Sequence, residues 1–296
     1  MNWRKNLKGR IRLAEPLKKH TTFKIGGPAK FLVEPKDPGD LRLLLSLVKR
    51  YNLPIFVIGA GSNLLVSDKG INGVVVRLNA PYFNKLSYKN NYLDAGSGVW
   101  LGRVILFARG HGLSGAEFLA GIPGTLGGAL AMNAGIAKDN RSIQDLVKSV
   151  TVMDYRGNKK ILNKKDIRFG YRKSSLSKYI ILSALLKLKR GDKEEVRNKI
   201  KEYFQYRKLT QDLSRPSAGC IFRNPPGDSA GRLIDLCGLK GKGFRDAGVS
   251  LKHANFILNL GQASSADVIK LMAFITGKVR DKFGIKLTPE IKIWQD

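Results

Sequence analysis

The sequence predicts an α+β protein of about two domains. The chain has 296 residues, and a domain usually holds roughly 100–200 residues. Short apolar runs bounded by glycine, proline or aspartate predict strands, and longer stretches with an apolar face predict helices. Both patterns occur in each half of the chain. Hydrophobic residues make up 43% and charged residues 26% of the chain, as in a globular protein with a sizeable core.

The strong positive charge does not by itself identify a partner. The net charge is +30, which raises the hypothesis of nucleic-acid binding. Lys and Arg are scattered over the whole length without a run longer than two, and RNA-binding signatures are absent from the sequence. A diffuse positive field attracts polyanionic small substrates, although a general bias in surface composition explains most of these residues. We therefore expect no nucleic-acid partner.

Cysteine and histidine usage argues against disulfide and metal sites. Cys220 and Cys237 do not make a disulfide framework and suit a reducing compartment. The three histidines are too scattered to predict a metal site. The first twenty residues are charged throughout and lack the apolar region of a secretory signal. We expect a cytoplasmic protein without a metal.

Local signals predict the elements of the first part of the chain. Residues 1–20 are predicted as a basic lead-in with one short helix. Asp37 and Pro38 begin a helix as N-cap and first position, and Leu41, Leu44 and Val48 give it an apolar face. The other predicted elements are a strand at 29–34, a strand at 55–58, two strands about a turn within 64–78, a strand at 92–98, a helix at 100–110, a hairpin of 147–154 with 159–162, and a strand at 180–188.

The second part begins after a charged amphipathic helix at 193–209, which is the predicted boundary element. Ser264 and Asp267 form the pattern of a capping box, so the long helix is predicted to begin there. The other predicted elements are a strand within 214–227, a short helix at 229–238, a strand at 253–260 and a final strand at 289–294.

The stretch Gly121–Gly135, GIPGTLGGALAMNAG, holds five glycines and no charge. Within Leu113–Ala137 the one ionisable residue is Glu117. A membrane span needs about 20 mostly apolar residues, whereas these glycines and Pro123 lower helix propensity. A buried core favours leucine, valine and isoleucine over glycine. We therefore favour a loop whose backbone approaches a large ligand, ahead of a core segment and a membrane span.

A second glycine loop, Gly59–Asn63, follows the predicted strand at 55–58. A dinucleotide fingerprint requires a third glycine and a following helix. Leu64 stands at that third position, and the sequence after it predicts a strand. The backbone N–H groups of such a loop suit a pyrophosphate, and a ligand-free β-turn is an equally good interpretation.

Three side chains outside the glycine segments are candidates for catalysis or substrate binding. Arg172 lies between Phe169, Tyr171 and a polar stretch, where a partly desolvated guanidinium holds a carboxylate, although solvated arginines are common in loops. Cys220 is either a small buried hydrophobe or a thiol that faces a cleft. Glu290 precedes the last strand and is by itself an ordinary edge glutamate, while Cys237 has the apolar neighbours of a core residue.

Six motifs in a fixed order give these residues a common interpretation. They closely resemble the UDP-N-acetylenolpyruvoylglucosamine reductases, flavoenzymes that make UDP-N-acetylmuramate for peptidoglycan. The similarity runs from about His20 to the C-terminus. The motifs are GAGSNLLVSDKGINGVVV, GIPGTLGGALAMNAG, RFGYRKS, SAGCIFRNPPGDSAGRLID, KHANFILN and LTPEI.

The resemblance implies a two-lobed FAD-binding domain of the vanillyl-alcohol-oxidase or PCMH type and a C-terminal α+β substrate-binding domain. The implied boundaries are 1–20 for the lead-in, 21–190 for the FAD-binding domain, with lobes of about 21–80 and 81–190, and 191–296 for the substrate-binding domain. FAD is expected to be non-covalent, because the glycine loop lacks an obvious attachment residue. NADPH is the expected hydride donor and a UDP-sugar the expected substrate of a cytoplasmic monomer.

The resemblance also assigns site residues. It implies catalytic roles for Arg172, Cys220 and Glu290, and substrate binding by Arg172 and Asn224. It would explain the uncharged segment, because a fixed charge beside the flavin perturbs its reduction. The implied FAD-binding residues are Gly59, Ala60, Gly61, Ser62 and Asn63 at the pyrophosphate and Gly121, Ile122, Pro123, Gly124, Thr125, Gly127, Gly128, Asn133, Ala134 and Gly135 along the flavin.

One departure from the family pattern matters. The better-known members carry serine at the position of Cys220. An insertion with a substrate-contacting tyrosine, which occurs in one subgroup, is absent after Arg172, because only about seven residues separate it from the next predicted strand. The chain therefore resembles the shorter subgroup.

Two alternatives are left open by the sequence. A different flavin oxidase of the same fold uses oxygen and needs no nicotinamide, so NADPH-dependent bleaching of the flavin separates it from a reductase. A basic nucleic-acid-binding module without catalysis yields colourless protein that binds DNA.

Overall fold

The computed structural model describes residues 6–136 and 138–295. They divide into two compact units. The first unit holds residues 6–13, 31–60, 73–136 and 138–207, and the second holds 14–30, 61–72 and 208–295. The division at 20/21 and 190/191 stays a prediction.

Most strand residues of the first unit belong to two sheets. One has four strands, in the spatial order Arg10–Pro16, Pro28–Glu34, Ile71–Arg77 and Ile55–Ile58. The other is antiparallel and has five strands, in the order Lys159–Asn163, Val147–Met153, Ile180–Lys187, Tyr92–Gly96 and Leu86–Lys89.

The predicted hairpin of the five-stranded sheet is confirmed. Val147–Met153 pairs with Lys159–Asn163, and the turn between them is closed by Asp154, whose carboxylate accepts the backbone N–H groups of Arg156 and Asn158 at 2.9 Å each. Gly157 takes a left-handed backbone with φ of 88°, which glycine adopts without strain.

The N-terminal strand was not predicted. Residues 10–16 form an edge strand, and the single helical turn Leu17–His20 comes after it. The strand is held by pairing rather than by local propensity: Arg12 donates to Glu34 on the neighbouring strand at 3.1 Å, and Ile11 packs against the core of the first unit. The part of the predicted lead-in before residue 6 lies outside the described residues.

The second unit is built on an antiparallel four-stranded sheet. Its order is Ser217–Cys220, Phe256–Asn259, Ala247–Val249 and Gly243–Phe244. Separately, Leu64–Val66 pairs in parallel with Lys292–Trp294. The two strands predicted within 64–78 therefore exist, but they belong to different sheets and do not form a hairpin.

Helix caps agree with the sequence signals. Asp37 caps the first helix by accepting the N–H of Asp40, and Ser264 and Asp267 form the predicted capping box of the last. The α-helices span Pro38–Arg50, Leu101–Gly110, Leu126–Ala131, Lys193–Thr210, Ala230–Leu236 and Ser265–Phe283. None of the described helices has the length and apolar character that a membrane crossing requires.

We expect Ser264→Ala to lower the free energy of unfolding by about 1 kcal/mol, because the last helix loses its N-cap hydroxyl. Hydrogen bonds from Ser264 lower the pKa of Asp267. A lowered carboxyl pKa stabilises the folded state above about pH 4 and loses that effect as the pH falls through the folded-state value. Urea titrations should therefore show a difference at pH 7 that shrinks at acid pH.

The matched control for this substitution is Ser46→Ala, at an exposed position inside the helix Pro38–Arg50. Alanine is the better helix former there, so this variant should be as stable as the parent or slightly more stable. Equal free energies of unfolding for Ser264→Ala and Ser46→Ala at pH 7 would contradict a stabilising role of the Ser264 hydroxyl.

Candidate active site

The segment Gly121–Gly135 contains a helix that the sequence did not predict. Leu126–Ala131 is α-helical, and the hydroxyl of Thr125 caps it by accepting the N–H of Gly128 at 3.4 Å. Leu126 and Gly127 donate their N–H groups to the carbonyls of Val99 and Ser97 at 2.8 Å each. Hydrogen bonds to the turn at residues 97–99 thus offset the poor helix propensity of the glycines, which was the basis for predicting a loop.

Within the first unit, Gly59 of one predicted FAD motif lies against Thr125 and Gly128 of the other. A Cβ atom at Gly59 would lie 2.6 Å from the Oγ1 of Thr125 and 3.9 Å from the Cα of Gly128. A side chain at residue 59 therefore collides with the helix cap. Gly59 and Ala60 belong to the first unit and are half-buried, whereas Gly61–Asn63 belong to the second.

The helix residues beside Gly59 carry no charge and little side-chain bulk. Gly127 and Gly128 are half-buried, and a Cβ atom at Gly128 would meet no atom closer than Thr125 Oγ1 at 3.6 Å. The protein's own packing thus leaves room for a methyl group at Gly128, so these contacts do not by themselves require glycine there. The buried hydroxyl of Ser97, beside Gly127, has no hydrogen-bond partner within the described residues, which suits a polar atom of a bound cofactor.

The other predicted flavin-lining residues differ in exposure. Gly121 and Pro123 are exposed, Gly124 and Thr125 are buried, and Asn133 is 5% exposed. The remaining members of the set are half-buried: Ile122, Ala134 and Gly135.

Cationic side chains lie at both ends of the uncharged segment. A Cβ atom at Gly121 would lie 3.1 Å from the Cδ of Arg207, and the guanidinium of Arg172 donates to the carbonyl of Gly135 at 3.1 Å. The absence of charge therefore holds for the segment's own sequence and not for its surroundings. The expectation that the missing charge of the segment itself serves a flavin stays a prediction.

Arg172 occupies the turn of a short hairpin. Phe169–Gly170 pairs with Lys173–Ser174, and Tyr171 and Arg172 join them. Arg172 is half-buried, has a left-handed backbone with φ of 51°, and lies with its guanidinium 5.4 Å from the centre of the Tyr171 ring. A non-glycine residue in this backbone region is uncommon, so the hairpin presents the side chain at some conformational cost.

Cys220 and Glu290 belong to adjacent segments of the second unit. Cys220 ends the strand Ser217–Cys220 and is half-buried, and Glu290 is 9% exposed. The N–H of Glu290 donates to the carbonyl of Ile221 at 2.7 Å, and the N–H of Arg223 donates to Thr288 at 2.9 Å. The structure therefore brings together the segments of two predicted catalytic residues that are seventy positions apart in sequence.

Asn255 fixes the segment that follows Cys220, and the sequence patterns did not predict this role. Its side chain accepts the N–H of Phe222 at 2.9 Å and donates to the Phe222 carbonyl at 2.8 Å, while its own carbonyl accepts the N–H of Ile221 at 2.9 Å. Asn255 is 3% exposed. The available signal was an asparagine inside the apolar run ANFIL, because a polar side chain in such a run needs an internal partner.

Asn224, a predicted substrate-binding residue, is exposed. Its side-chain carbonyl accepts the N–H of Ala230 at 3.0 Å and so supports the start of the helix Ala230–Leu236. Next to it, Nε of Arg223 is buried and has no hydrogen-bond partner within the described residues. Substrate binding by Asn224 stays a prediction.

Comparison with known proteins settles the family. Residues 211–294 match the model described as UDP-N-acetylenolpyruvoylglucosamine reductase, C-terminal domain, and residues 29–162 match the model described as FAD binding domain. The UDP-N-acetylenolpyruvoylglucosamine reductase of Caldanaerobacter subterraneus subsp. tengcongensis is 44% identical over 287 residues, which are 96% of this chain and 94% of that protein. The chain belongs to the UDP-N-acetylenolpyruvoylglucosamine reductase family.

Other members of this reductase family agree over the same length. The reductase of Clostridioides difficile is 44% identical over 96% of this chain and 93% of its own length. The crystal structure of UDP-N-acetylenolpyruvylglucosamine reductase from Thermus caldophilus has a TM-score of 0.81 at 37% identity, with 98% of this chain and all of that chain covered. The FAD-binding and C-terminal domains expected from the motifs are thus confirmed.

We expect Gly59→Ala to lower FAD retention, because the added methyl group displaces the hydroxyl of Thr125 that caps the helix Leu126–Ala131, which is predicted to line the flavin. Overpacking of this kind costs about 1–3 kcal/mol. The ratio of flavin absorbance to protein after purification measures the effect. The matched control is Gly102→Ala in the helix Leu101–Gly110, where a Cβ atom meets nothing within 4 Å. Full flavin content in both variants would contradict the inference that a side chain at residue 59 displaces the Thr125 hydroxyl.

Proposed function

We propose that this chain reduces the enolpyruvyl group of UDP-N-acetyl-3-O-(1-carboxyvinyl)-glucosamine to give UDP-N-acetylmuramate for peptidoglycan synthesis. The observation that carries the proposal is family membership over 96% of the chain with Arg172, Cys220 and Glu290 at the motif positions. NADPH is the proposed electron donor. We further propose that the protein acts as a monomer in the cytoplasm and so supports cell shape and division.

The cofactor residues fit FAD, since Gly59, Thr125 and Gly128 form an uncharged surface with the Ser97 hydroxyl nearby. Bound there, FAD would supply the hydride chemistry that links NADPH to the methylene carbon of the enolpyruvyl group. The protein's own residues must then bind the substrate carboxylate, stabilise the charge that develops beside it and supply one proton to the adjacent carbon.

Arg172 is the proposed partner of the substrate carboxylate. Its guanidinium has five N–H donors, and one of them is already directed to the Gly135 carbonyl. The others suffice for a two-point hydrogen bond with a carboxylate. Charge that spreads onto that carboxylate during hydride transfer is stabilised by the same group. Asn224 is proposed to contact the same substrate.

Cys220 and Glu290 are proposed to complete the reaction. Glu290 orients or stabilises the enol form of the substrate. The Cys220 thiol donates its proton to the carbon next to the carboxylate, which completes the addition of one hydride and one proton across the double bond. A thiol is a much stronger acid than the serine hydroxyl of the better-known relatives, so cysteine suits this step.

Cys220→Ala should leave flavin reduction by NADPH intact and abolish flavin reoxidation by the enolpyruvyl substrate, because the proton donor is lost. Cys220→Ser should retain substantial activity. Anaerobic stopped-flow absorbance follows the two half-reactions separately. The matched control is Cys237→Ala. The Sγ of Cys237 donates to the Lys278 carbonyl at 3.7 Å, and both half-reactions of this variant should stay at the parental rate.

Unchanged reoxidation in Cys220→Ala, or a dead Cys220→Ser that still holds FAD, would argue against the proton-donor role. The same instrument separates the reductase from an oxidase. Flavin that NADPH does not bleach, but that another reductant bleaches and oxygen rapidly restores, would favour an oxidase of the same fold.

A further inference from the structure

Two asparagines from the predicted FAD segments use their side chains inside the protein. Asn133 lies in AMNAG and Asn63 in GAGSN. Each side chain donates a hydrogen bond to the backbone of a loop that carries a predicted catalytic residue. We propose that Asn133 and Asn63 are positioning residues, Asn133 for Arg172 and Asn63 for Glu290. The inference rests on the proposed function.

Asn133 holds the Arg172 hairpin within the first unit. Its Nδ2 donates to the carbonyl of Gly170 at 3.1 Å, and its Oδ1 accepts the N–H of Gln144 at 3.3 Å. The residue is 5% exposed and has a left-handed backbone with φ of 44°. The side chain thus ties the residue after the flavin-lining helix to the strand that enters the Arg172 turn.

Two more contacts fix the same hairpin. The hydroxyl of Ser174 donates to the carbonyls of Leu130 and Ala131 at 2.8 and 3.0 Å, and the guanidinium of Arg172 donates to Gly135. Hydrogen bonds therefore reach the hairpin before, at and after its turn. Arg172, with a backbone conformation that is uncommon for arginine, depends on this support more than a residue in a relaxed turn does.

Asn63 holds the Glu290 segment within the second unit. Its Nδ2 donates to the carbonyl of Glu290 at 3.2 Å, and its own carbonyl accepts the N–H of Lys292 at 2.9 Å. Directly after it, Leu64 pairs with Lys292 in the parallel strand pair. Asn63 therefore fixes the backbone on the C-terminal side of Glu290, while Ile221 binds its N–H from the other segment.

This arrangement changes the role expected from the resemblance. An amide whose donor is directed to a protein carbonyl in a buried or half-buried position is a structural group first. The glycines of the two motifs keep the predicted cofactor surface, whereas the asparagines set the direction of the groups that act on the substrate. A misplacement of about 1 Å at such a group lowers the rate of the reaction by roughly 100-fold.

The test uses Asn133→Asp and Asn63→Asp in the FAD-loaded protein. Aspartate keeps the size of the side chain and tolerates left-handed backbone, but it replaces the N–H donor with an oxygen that repels the carbonyl. Asn133→Gly and Asn63→Ala remove the donor without adding charge. The matched control is Asn52→Asp, an exposed residue that also has a left-handed backbone, with φ of 47°.

The flavin is reduced anaerobically with dithionite and mixed with the enolpyruvyl substrate, and the return of flavin absorbance gives the reoxidation rate. We expect a loss of roughly 10- to 100-fold in all four variants, with flavin content and the rate of reduction by NADPH unchanged. The control should match the parent. Loss of FAD from the asparagine variants, or reoxidation at the parental rate, would overturn the inference.

Crossed double variants separate positioning from general damage. Asn133→Asp should change the reoxidation rate little in an Arg172→Lys background. In a Glu290→Gln background it should lower that rate as much as it does in the parent. Asn63→Asp should show the reverse. Equal losses of the reoxidation rate in both backgrounds would overturn the assignment of Asn133 to Arg172 and of Asn63 to Glu290. A parent protein whose reduced flavin the substrate does not reoxidise would overturn the proposed function, and this inference with it.

Discussion

The helix Leu126–Ala131 depends on hydrogen bonds from other parts of the first unit at both of its ends. Its first N–H groups bind the carbonyls of Val99 and Ser97, and the Ser174 hydroxyl binds its last two carbonyls. A helix of six residues with two glycines does not form in isolation, because the first turn fixes several residues for a single hydrogen bond. The contacts at its ends therefore create the surface against which Gly59 packs and from which the Arg172 hairpin is held.

Close backbone contacts elsewhere explain part of the glycine content of both motifs. At Gly61 a Cβ atom would lie 2.2 Å from the carbonyl oxygen of His20, and at Gly135 a Cβ atom would lie 2.2 Å from that of Arg141. Such distances exclude any side chain, whether or not a ligand is bound. Much of the glycine content thus serves close packing of the protein backbone, whereas the contacts at Gly128 do not require glycine.

The sequence predicted what short-range signals control. The caps at Asp37 and Ser264 and the turn at Gly157 are decided by residues within a few positions of each other, so local patterns found them. The pairing of Leu64–Val66 with Lys292–Trp294 joins residues more than two hundred positions apart, and no periodicity in the sequence predicts it. The fold type came from six ordered motifs rather than from periodicity.

In the candidate site, too, some residues could be assigned from the sequence, whereas the contacts that hold them could not. Arg172, Cys220 and Glu290 were assigned by resemblance, since an arginine in a polar loop or a glutamate before a strand has no pattern of its own. The contacts that hold them were not predictable, because Asn255 and Asn133 act through the backbone of distant residues. A sequence shows that an asparagine is present in a motif but not which carbonyl its amide reaches.

A crystal structure of the protein with FAD and the enolpyruvyl substrate tests the account most directly. We expect the FAD pyrophosphate at Gly59, the isoalloxazine ring against Thr125 and Gly128, the substrate carboxylate on the guanidinium of Arg172, and the amide of Asn133 still on the Gly170 carbonyl. A flavin bound away from the helix Leu126–Ala131, or an Asn133 side chain turned from Gly170 to the cofactor, would contradict it.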